Sequence, residues 1–478
     1  MDMARIDADD SQSRLADILS VQRNAFLRAD APALGERQAN IRKLRDAVRQ
    51  QAEQIAAVIA ADFGSRSAHE TMVADIWPVL ASARHTLKHL ASWMKPKRVP
   101  AGLDLMPGRA RILCQPVGIV GIISPWNYPF QLAVVPLIAA LAAGNRVMLK
   151  PSELTPRTSE FLAGFLGNLF SPAKVATIIG GANVGAAFAA LPFDHLFYTG
   201  STATGRRIMR AAAENLTPVT LELGGKSPCI IGGDAILPAA AHSVAFGKLL
   251  NAGQTCVAPD YVLVPRARLE TFTGLLGDAI RKLYPSLRTN PDYTAIVNER
   301  HYARVSALLE EARQRGVRVV EINPSNETLP PAGRKIVPSL LIDPPDDLAV
   351  MQDEIFGPIL PIRPYDSLEE AIAFVNSRPR PLALYYFGTG EAQRDRVLNR
   401  TVSGGACVNE TLMHIVAENL PFGGIGASGM GAYHGEFGFQ TFSHRKGVFL
   451  QSRINGTGLL RPPFGRAANT VLKFLMSR

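Results

Sequence analysis

The sequence predicts an α/β fold in which parallel sheets are crossed by helices and the chain is split over more than one domain. Three observations predict it. Between Gly118 and Leu223, short apolar runs alternate with helix-patterned stretches within some hundred residues, which argues for crossover-connected parallel strands. A second alternating series begins after residue 228. The length, 478 residues, suggests two to three domains at roughly 150 residues each.

The elements follow in order. Residues 14–61 read as helical, with Ile41, Leu44, Val48, Ile55 and Ile59 at three-to-four spacing. The Pro/Gly/basic stretch KPKRVPAGLDLMPGR, 95–109, reads as a loop or domain crossing. Gly118–Ile123 reads as a strand. Leu132–Ala143 is the longest apolar run; it falls short of the ~20 residues needed to span a bilayer and reads as a buried helix. Arg146–Lys150 is a strand, Thr158–Phe170 a helix, Ala176–Ile179 a strand, His195–Tyr198 a strand, Thr202–Ala213 a helix and Val219–Leu223 a strand. The second series holds helices at 236–250, 267–281, 300–315 and 368–377, and strands at 260–265, 317–321 and 382–387. No internal repeat or low-complexity segment interrupts it.

Composition excludes several classes. The hydrophobic fraction, 47%, and the charged fraction, 19%, are those of a globular protein. Cys114, Cys229, Cys256 and Cys407 show no paired spacing and no CxxC, so neither a disulfide framework nor a zinc site is expected, and a reducing compartment fits. The first residues, MDMARIDADD, lack an apolar h-region and do not read as a signal peptide. The net charge is +10, yet no basic stripe with interleaved aromatics points to nucleic acid. A diffusely basic surface also helps gather anionic ligands such as dinucleotides.

Ligands of such sheets bind beyond the carboxyl ends of the strands, and the chemistry-bearing residues gather there. LFYTGSTATG, 196–205, runs from strand through Gly200-Ser201 into helix, presenting free N–H groups and a positive helix end where a pyrophosphate could sit. Ser201 could otherwise be only an N-cap. Lys150 ends a strand and Glu153 lies three residues on; the pair suits ribose hydroxyls, or is a surface ion pair of little energy. A GxGxxG occurs at Gly424–Gly429, but without a strand before it and a helix after it reads as a turn-rich loop.

Glu222, in TLELGG, puts a carboxylate in an apolar strand, which is costly unless it is paired or functional. Burial raises such a carboxyl toward the range of a general base. Pairing with nearby Lys226 is the plainer alternative. Asn127, in SPWNYP, sits between two prolines that stiffen the loop; its amide suits an oxyanion, or it is a turn residue. Cys256 ends NAGQTC. No histidine stands out as its base, which argues against a papain-like dyad. A thiol, an amide donor and a separate carboxylate fit attack on a carbonyl, oxyanion stabilisation and hydrolysis of a thioester, with hydride transfer between if a nicotinamide is near.

SPWNYP, KPSE, FYTGST, LELGGKSP, NAGQTCVAPDY, EIFGP and PFGGIGASGMGAYHG together resemble the aldehyde dehydrogenase superfamily over nearly the whole chain. KPSE, NAGQTCVAPDY and SGMGAYHGEFGFQTFSH are similar to its class-three branch, and the body of the chain to the bacterial coniferyl aldehyde dehydrogenases within it. The resemblance implies an aldehyde dehydrogenase fold with a Rossmann-like cofactor domain at 1–95 and 118–224. A catalytic domain would follow at 225–415, with a bridging, subunit-pairing region at 96–117 and 416–455 and a basic amphipathic tail at 456–478. It implies Cys256 as nucleophile, Glu222 as the base for the deacylating water, and Asn127 with the Cys256 N–H as oxyanion hole. Trp126, Lys150, Glu153, Gly200, Ser201, Glu354 and Phe356 would contact the cofactor: Lys150 and Glu153 at the adenosine ribose, Gly200 and Ser201 at the pyrophosphate, Glu354 and Phe356 at the nicotinamide end. The implied cofactor is NAD, with NADP open; Glu153 would repel a 2′-phosphate. The implied substrate is a small-molecule aldehyde, coniferyl aldehyde going to ferulate, in a cytoplasmic homodimer.

Other readings remain in view: a long-chain aliphatic aldehyde as substrate, a non-catalytic binding or structural protein on the same fold, and a thiol hydrolase that needs no nucleotide. The tail LLRPPFGRAANTVLKFLMSR, 459–478, places Val471, Leu472 and Leu475 on one helix face. It reads as a docked terminal helix, a lid over the substrate entrance or a membrane-surface helix.

Overall fold

The computed structural model of the chain describes residues 11–102 and 105–477. Among these, three sheets organise the chain. A six-stranded sheet runs Gly429–Met430, Val219–Glu222, His195–Thr199, Ile119–Ile123, Arg146–Lys150, Val175–Thr177. All its pairings are parallel except that of Gly429–Met430. A seven-stranded sheet runs Arg318–Glu321, Ser339–Ile342, Ile359–Tyr365, Tyr261–Pro265, Pro228–Ile231, Ala383–Phe387, Gly405–Val408, antiparallel only at its first pair. The third sheet is antiparallel: Lys97–Val99, Arg109–Pro116 and Ser443–Leu450.

The parallel registers set the site. Ile123 lies opposite both Lys150 and Tyr198, and Thr199 opposite Glu222, so four strands release their carboxyl ends along one edge. Strand Ile119–Ile123 is buried at every position, as a strand covered on both faces must be. One cover is the helix Gln131–Ala143, whose residues Leu132–Ala143 are all buried. Gly144, at φ 93, ends it in the left-handed conformation that glycine adopts without strain. The expected buried helix is therefore present.

The expected continuous helical run 14–61 is instead three helices, Ser11–Leu27, Leu34–Gln50 and Ala52–Phe63. Pro32 explains the first break, since proline cannot occupy a helix interior; its carbonyl accepts a bond from Arg37 Nε. The second break, at Gln51 (φ −109, ψ 19), has no local breaker. The stretch 95–109 is not all loop, because Lys97–Val99 pairs with the strand beginning at Arg109. The GxGxxG segment contributes Gly429 to the sheet, opposite Glu222. A Cβ there would stand 2.0 Å from the Leu221 carbonyl, so only glycine fits. The tail forms the helix Arg466–Met476, in which Ala468 is buried while Leu472 and Met476 are exposed.

Candidate active site

The NAGQTC segment is a wired loop. Asn251, Ala252 and Gly253 take φ of 52°, 50° and 78° in succession, a left-handed run that costs of order 1 kcal/mol or more per non-glycine residue and persists only when its surroundings hold it. They do. Asn251 N–H donates to both Glu70 oxygens at 3.2 and 3.3 Å. Asn251 Nδ2 donates to the carbonyls of Asn127 and Gln254. Gln254 Nε2 donates to Asn251 O and Ala295 O, and its Oε1 accepts from Val297 N–H. Thr255 Oγ1 and the Tyr128 hydroxyl lie 2.6 Å apart. A Cβ on Gly253 would meet the Gly357 carbonyl at 2.4 Å, so this glycine lets the loop press against the EIFGP segment.

The loop presents Cys256 at a cavity of about 250 Å³. Burial pushes the thiol up to about 12, and the charges of Glu354 and Glu222 push the same way. The N–H groups of Cys256 and Val257 act against them. Those carboxylates are therefore neighbours of the sulfur. Glu222 is 2% exposed, and neither of its oxygens has a hydrogen-bond partner. Burial raises its pKa well above the ordinary value. The alternative that Lys226 neutralises it is excluded: Lys226 pairs with Asp260 and donates to the carbonyls of Val350 and Asp353.

Asn127 is buried beside the same loop and its Nδ2 donates to Gln254 O at 3.1 Å. Its carbonyl is held by Arg66 Nη1 at 2.7 Å. Arg66 in turn forms a fully buried ion pair with Asp75 at 2.7 Å, and Asp75 accepts from the N–H groups of Phe130 and Gln131. This Arg66–Asp75 brace ties the middle of the SPWNYP turn to the residues that follow it and is invisible in the sequence, where the two residues precede the turn by some fifty positions.

A second group lies toward the sheet edge. Lys150 Nζ donates to Glu153 Oε2 at 2.6 Å, with Lys150 buried and Glu153 half-exposed. Burial raises the Glu153 pKa, but the hydrogen bond and charge of Lys150 outweigh it and the net shift is downward. Gly200 N–H donates to the Glu222 carbonyl at 3.0 Å, linking the two groups. Ser201 caps the helix Thr202–Ala213, accepting from Thr204 N–H at 3.3 Å. The N-cap reading is thus correct as geometry, and it leaves the helix end open to an anion. Trp126 packs edge-on to Phe356 at 5.4 Å and near His301 at 4.9 Å. Phe356 is itself left-handed, φ 51.

A dinucleotide fits these residues. Glu354 keeps one buried oxygen without a partner; burial and Asp260 push its pKa up to about 8, against Gly225 N–H, Lys226 and Arg304. Gly224 lies so close that a Cβ would stand 2.2 Å from Glu354 Oε2. An unpaired acceptor beside bare backbone suits a ribose hydroxyl. Sequence reasoning missed Lys248, which is buried with its Nζ unpartnered. Burial lowers its pKa to about 8, with Asp260 and Glu354 acting upward. Nothing in FGKLLNAGQTC marks it, since a lysine late in a helix ordinarily faces water.

Known proteins resemble this chain along its length. Residues 4–448 match the aldehyde dehydrogenase family. A probable coniferyl aldehyde dehydrogenase of Pseudomonas aeruginosa is 47% identical, over 98% of this chain and 97% of that protein. A coniferyl aldehyde dehydrogenase of a Pseudomonas species is 49% identical, over 89% and 88%. The substrate-bound structure of Staphylococcus aureus AldH superposes with a TM-score of 0.91 at 39% identity, covering 96% of this chain and 99% of that one.

Proposed function

Because the chain belongs to the aldehyde dehydrogenase family, whose members use NAD(P) to oxidise small-molecule aldehydes, we propose that its substrate is an aromatic aldehyde, coniferyl aldehyde, converted to ferulate. The observation that carries this reading is the cavity ending on Cys256, whose walls include Trp77, Phe246, Phe422 and Tyr433. Aromatic walls offer a planar ring the stacked and edge-on contacts it prefers. The names of the two Pseudomonas relatives point the same way.

The proposed chemistry follows from the site. The Cys256 thiol gives its proton to solvent water and its sulfur attacks the carbonyl carbon, giving a thiohemiacetal oxyanion. The Asn127 amide and the Cys256 N–H steady the oxyanion. When bound, the cofactor supplies a hydride acceptor, so the carbon leaves as a thioester at the acid oxidation level. Glu222 acts here in its ionised form, which burial disfavours until pH approaches its raised pKa: it takes a proton from water, hydroxide attacks the thioester, and the acid departs with the thiol restored. Trp126, Phe356, Glu354, Gly200, Ser201, Lys150 and Glu153 form the proposed cofactor contacts. Glu153 carries its negative charge where a 2′-phosphate would come, which favours NAD over NADP.

Reduced-nucleotide formation with NAD and then NADP, across coniferyl, benzyl, short and long aliphatic aldehydes, tests the proposal. The expected result is the highest kcat/KM for coniferyl aldehyde with NAD. A long aliphatic winner would instead favour the fatty-aldehyde reading, which the apolar cavity wall also accommodates. We further propose a homodimer, to be checked by light scattering. The proposed cytoplasmic location suits four free cysteines. Among the described residues no helix is long and apolar enough to cross a membrane.

A further inference from the structure

The cavity that ends on Cys256 carries one group its apolar walls do not call for. Glu418 lines it, in the turn after the short helix Met413–Ile415. Its Oε2 is buried and has no hydrogen-bond partner. Burial pushes the carboxyl up to about 7; the Gly435 N–H and the Ser82 hydroxyl act against this without cancelling it. No cation figures among the groups that set its charge. The nearby His434, which lines the same cavity, is held neutral by burial and stacks on Phe422 at 5.2 Å and 16°. An ion pair therefore does not explain Glu418. A buried acceptor left open costs free energy unless something completes it.

Its place in the cavity suggests what completes it. Tyr433, Cys256 and Glu418 line the same cavity. The leading charges on the Cys256 sulfur are Glu354 and Glu222. Glu418 lines the same cavity as Cys256 without being among the charges that raise the thiol.

We propose that Glu418 is a specificity-determining residue whose carboxyl accepts a hydrogen bond from a hydroxyl on the substrate ring, remote from the aldehyde. The proposal rests on the aromatic reading above and narrows it: the preferred ring carries a free hydroxyl, and its methyl ether is disfavoured. No bond is made or broken at Glu418; it selects and orients.

The test compares kcat/KM for coniferyl aldehyde, its O-methylated analogue and unsubstituted cinnamaldehyde, each measured on one preparation so that the active fraction cancels in the ratio. The wild type is expected to favour the free hydroxyl by about ten- to hundredfold, the range of a hydrogen bond to a charged group. In Glu418→Leu the ratio should fall to about one, and in Glu418→Gln, which keeps an acceptor and the volume, to an intermediate value. A ratio unchanged in Glu418→Leu overturns the proposal. If long aliphatic aldehydes outrun every ring aldehyde while the hydroxyl preference persists, the aromatic reading falls and Glu418 keeps its role. If ring aldehydes lead without any hydroxyl preference, Glu418 loses its role and the aromatic reading survives.

Discussion

In the proposed mechanism Cys256 and Glu222 divide the chemistry between two states of one carbon, and single substitutions separate them. Cys256→Ala removes the attacking sulfur and should abolish reduced-nucleotide formation; full retained activity would exclude the thiol as nucleophile. Glu222→Gln should leave acylation largely intact and slow hydrolysis by roughly a hundredfold or more. The expected trace is a burst of reduced nucleotide near one per active site, then a slow steady rate. Glu222 also shapes stability. Its folded pKa is raised by burial, so the folded protein binds its proton more tightly than the unfolded chain, where a glutamate titrates near 4.3. Stability from this proton is whole below that value and is lost as pH rises toward the folded pKa. Glu222→Gln is free of the loss. Its Tm should therefore exceed the wild-type value by a margin that grows as pH rises above the unfolded value of about 4.3, until the raised folded pKa is passed, measured by calorimetry. A margin that stays constant would mean that Glu222 is not held protonated by the fold.

At the scale of elements, the site depends on close backbone approach and a buried brace. Gly253→Ala sets a methyl against the Gly357 carbonyl in a left-handed residue; it should destabilise by more than about 2 kcal/mol, on the scale of strained-backbone and overpacking changes, read by denaturant unfolding. Arg66→Ala leaves Asp75 buried without its cation; breaking such a pair costs about 3–5 kcal/mol. Its damage should also reach kcat, because Asn127 loses the guanidinium that holds its carbonyl. These elements also mark how far the sequence could be read. The first sheet was legible at Ile119–Ile123, Arg146–Lys150 and His195–Thr199 because buried parallel strands are continuous apolar runs. Glu222 was legible because a carboxylate in such a run is anomalous. The break at Gln51 was not, because good helix formers flank it. Ser443–Leu450 was not, because SHRKGVFL lacks a strand's alternation and gains its order from pairing with Arg109–Pro116. The Arg66–Asp75 brace lies outside any local window.

At the scale of the whole molecule, the sheets are closed by segments far apart in the chain. The strand beside Glu222 comes from residues 429–430, and Leu223 N–H bonds to the Ser428 carbonyl at 3.1 Å. A chain ended before Gly429 would keep Cys256, Glu222 and Asn127 yet leave the strand of Glu222 as a raw edge. Such a truncation should give no reduced nucleotide and should aggregate on expression; an active, soluble product would show that the strand is dispensable. The ordering of the chain then has a meaning during synthesis. A polypeptide still on the ribosome carries Asn127, Glu222 and Cys256 well before residues 429–430, the strand that pairs beside Glu222, emerge. Until those residues emerge, the strand of Glu222 lacks its partner on that side, so the growing chain cannot complete the proposed site before Gly429 is made.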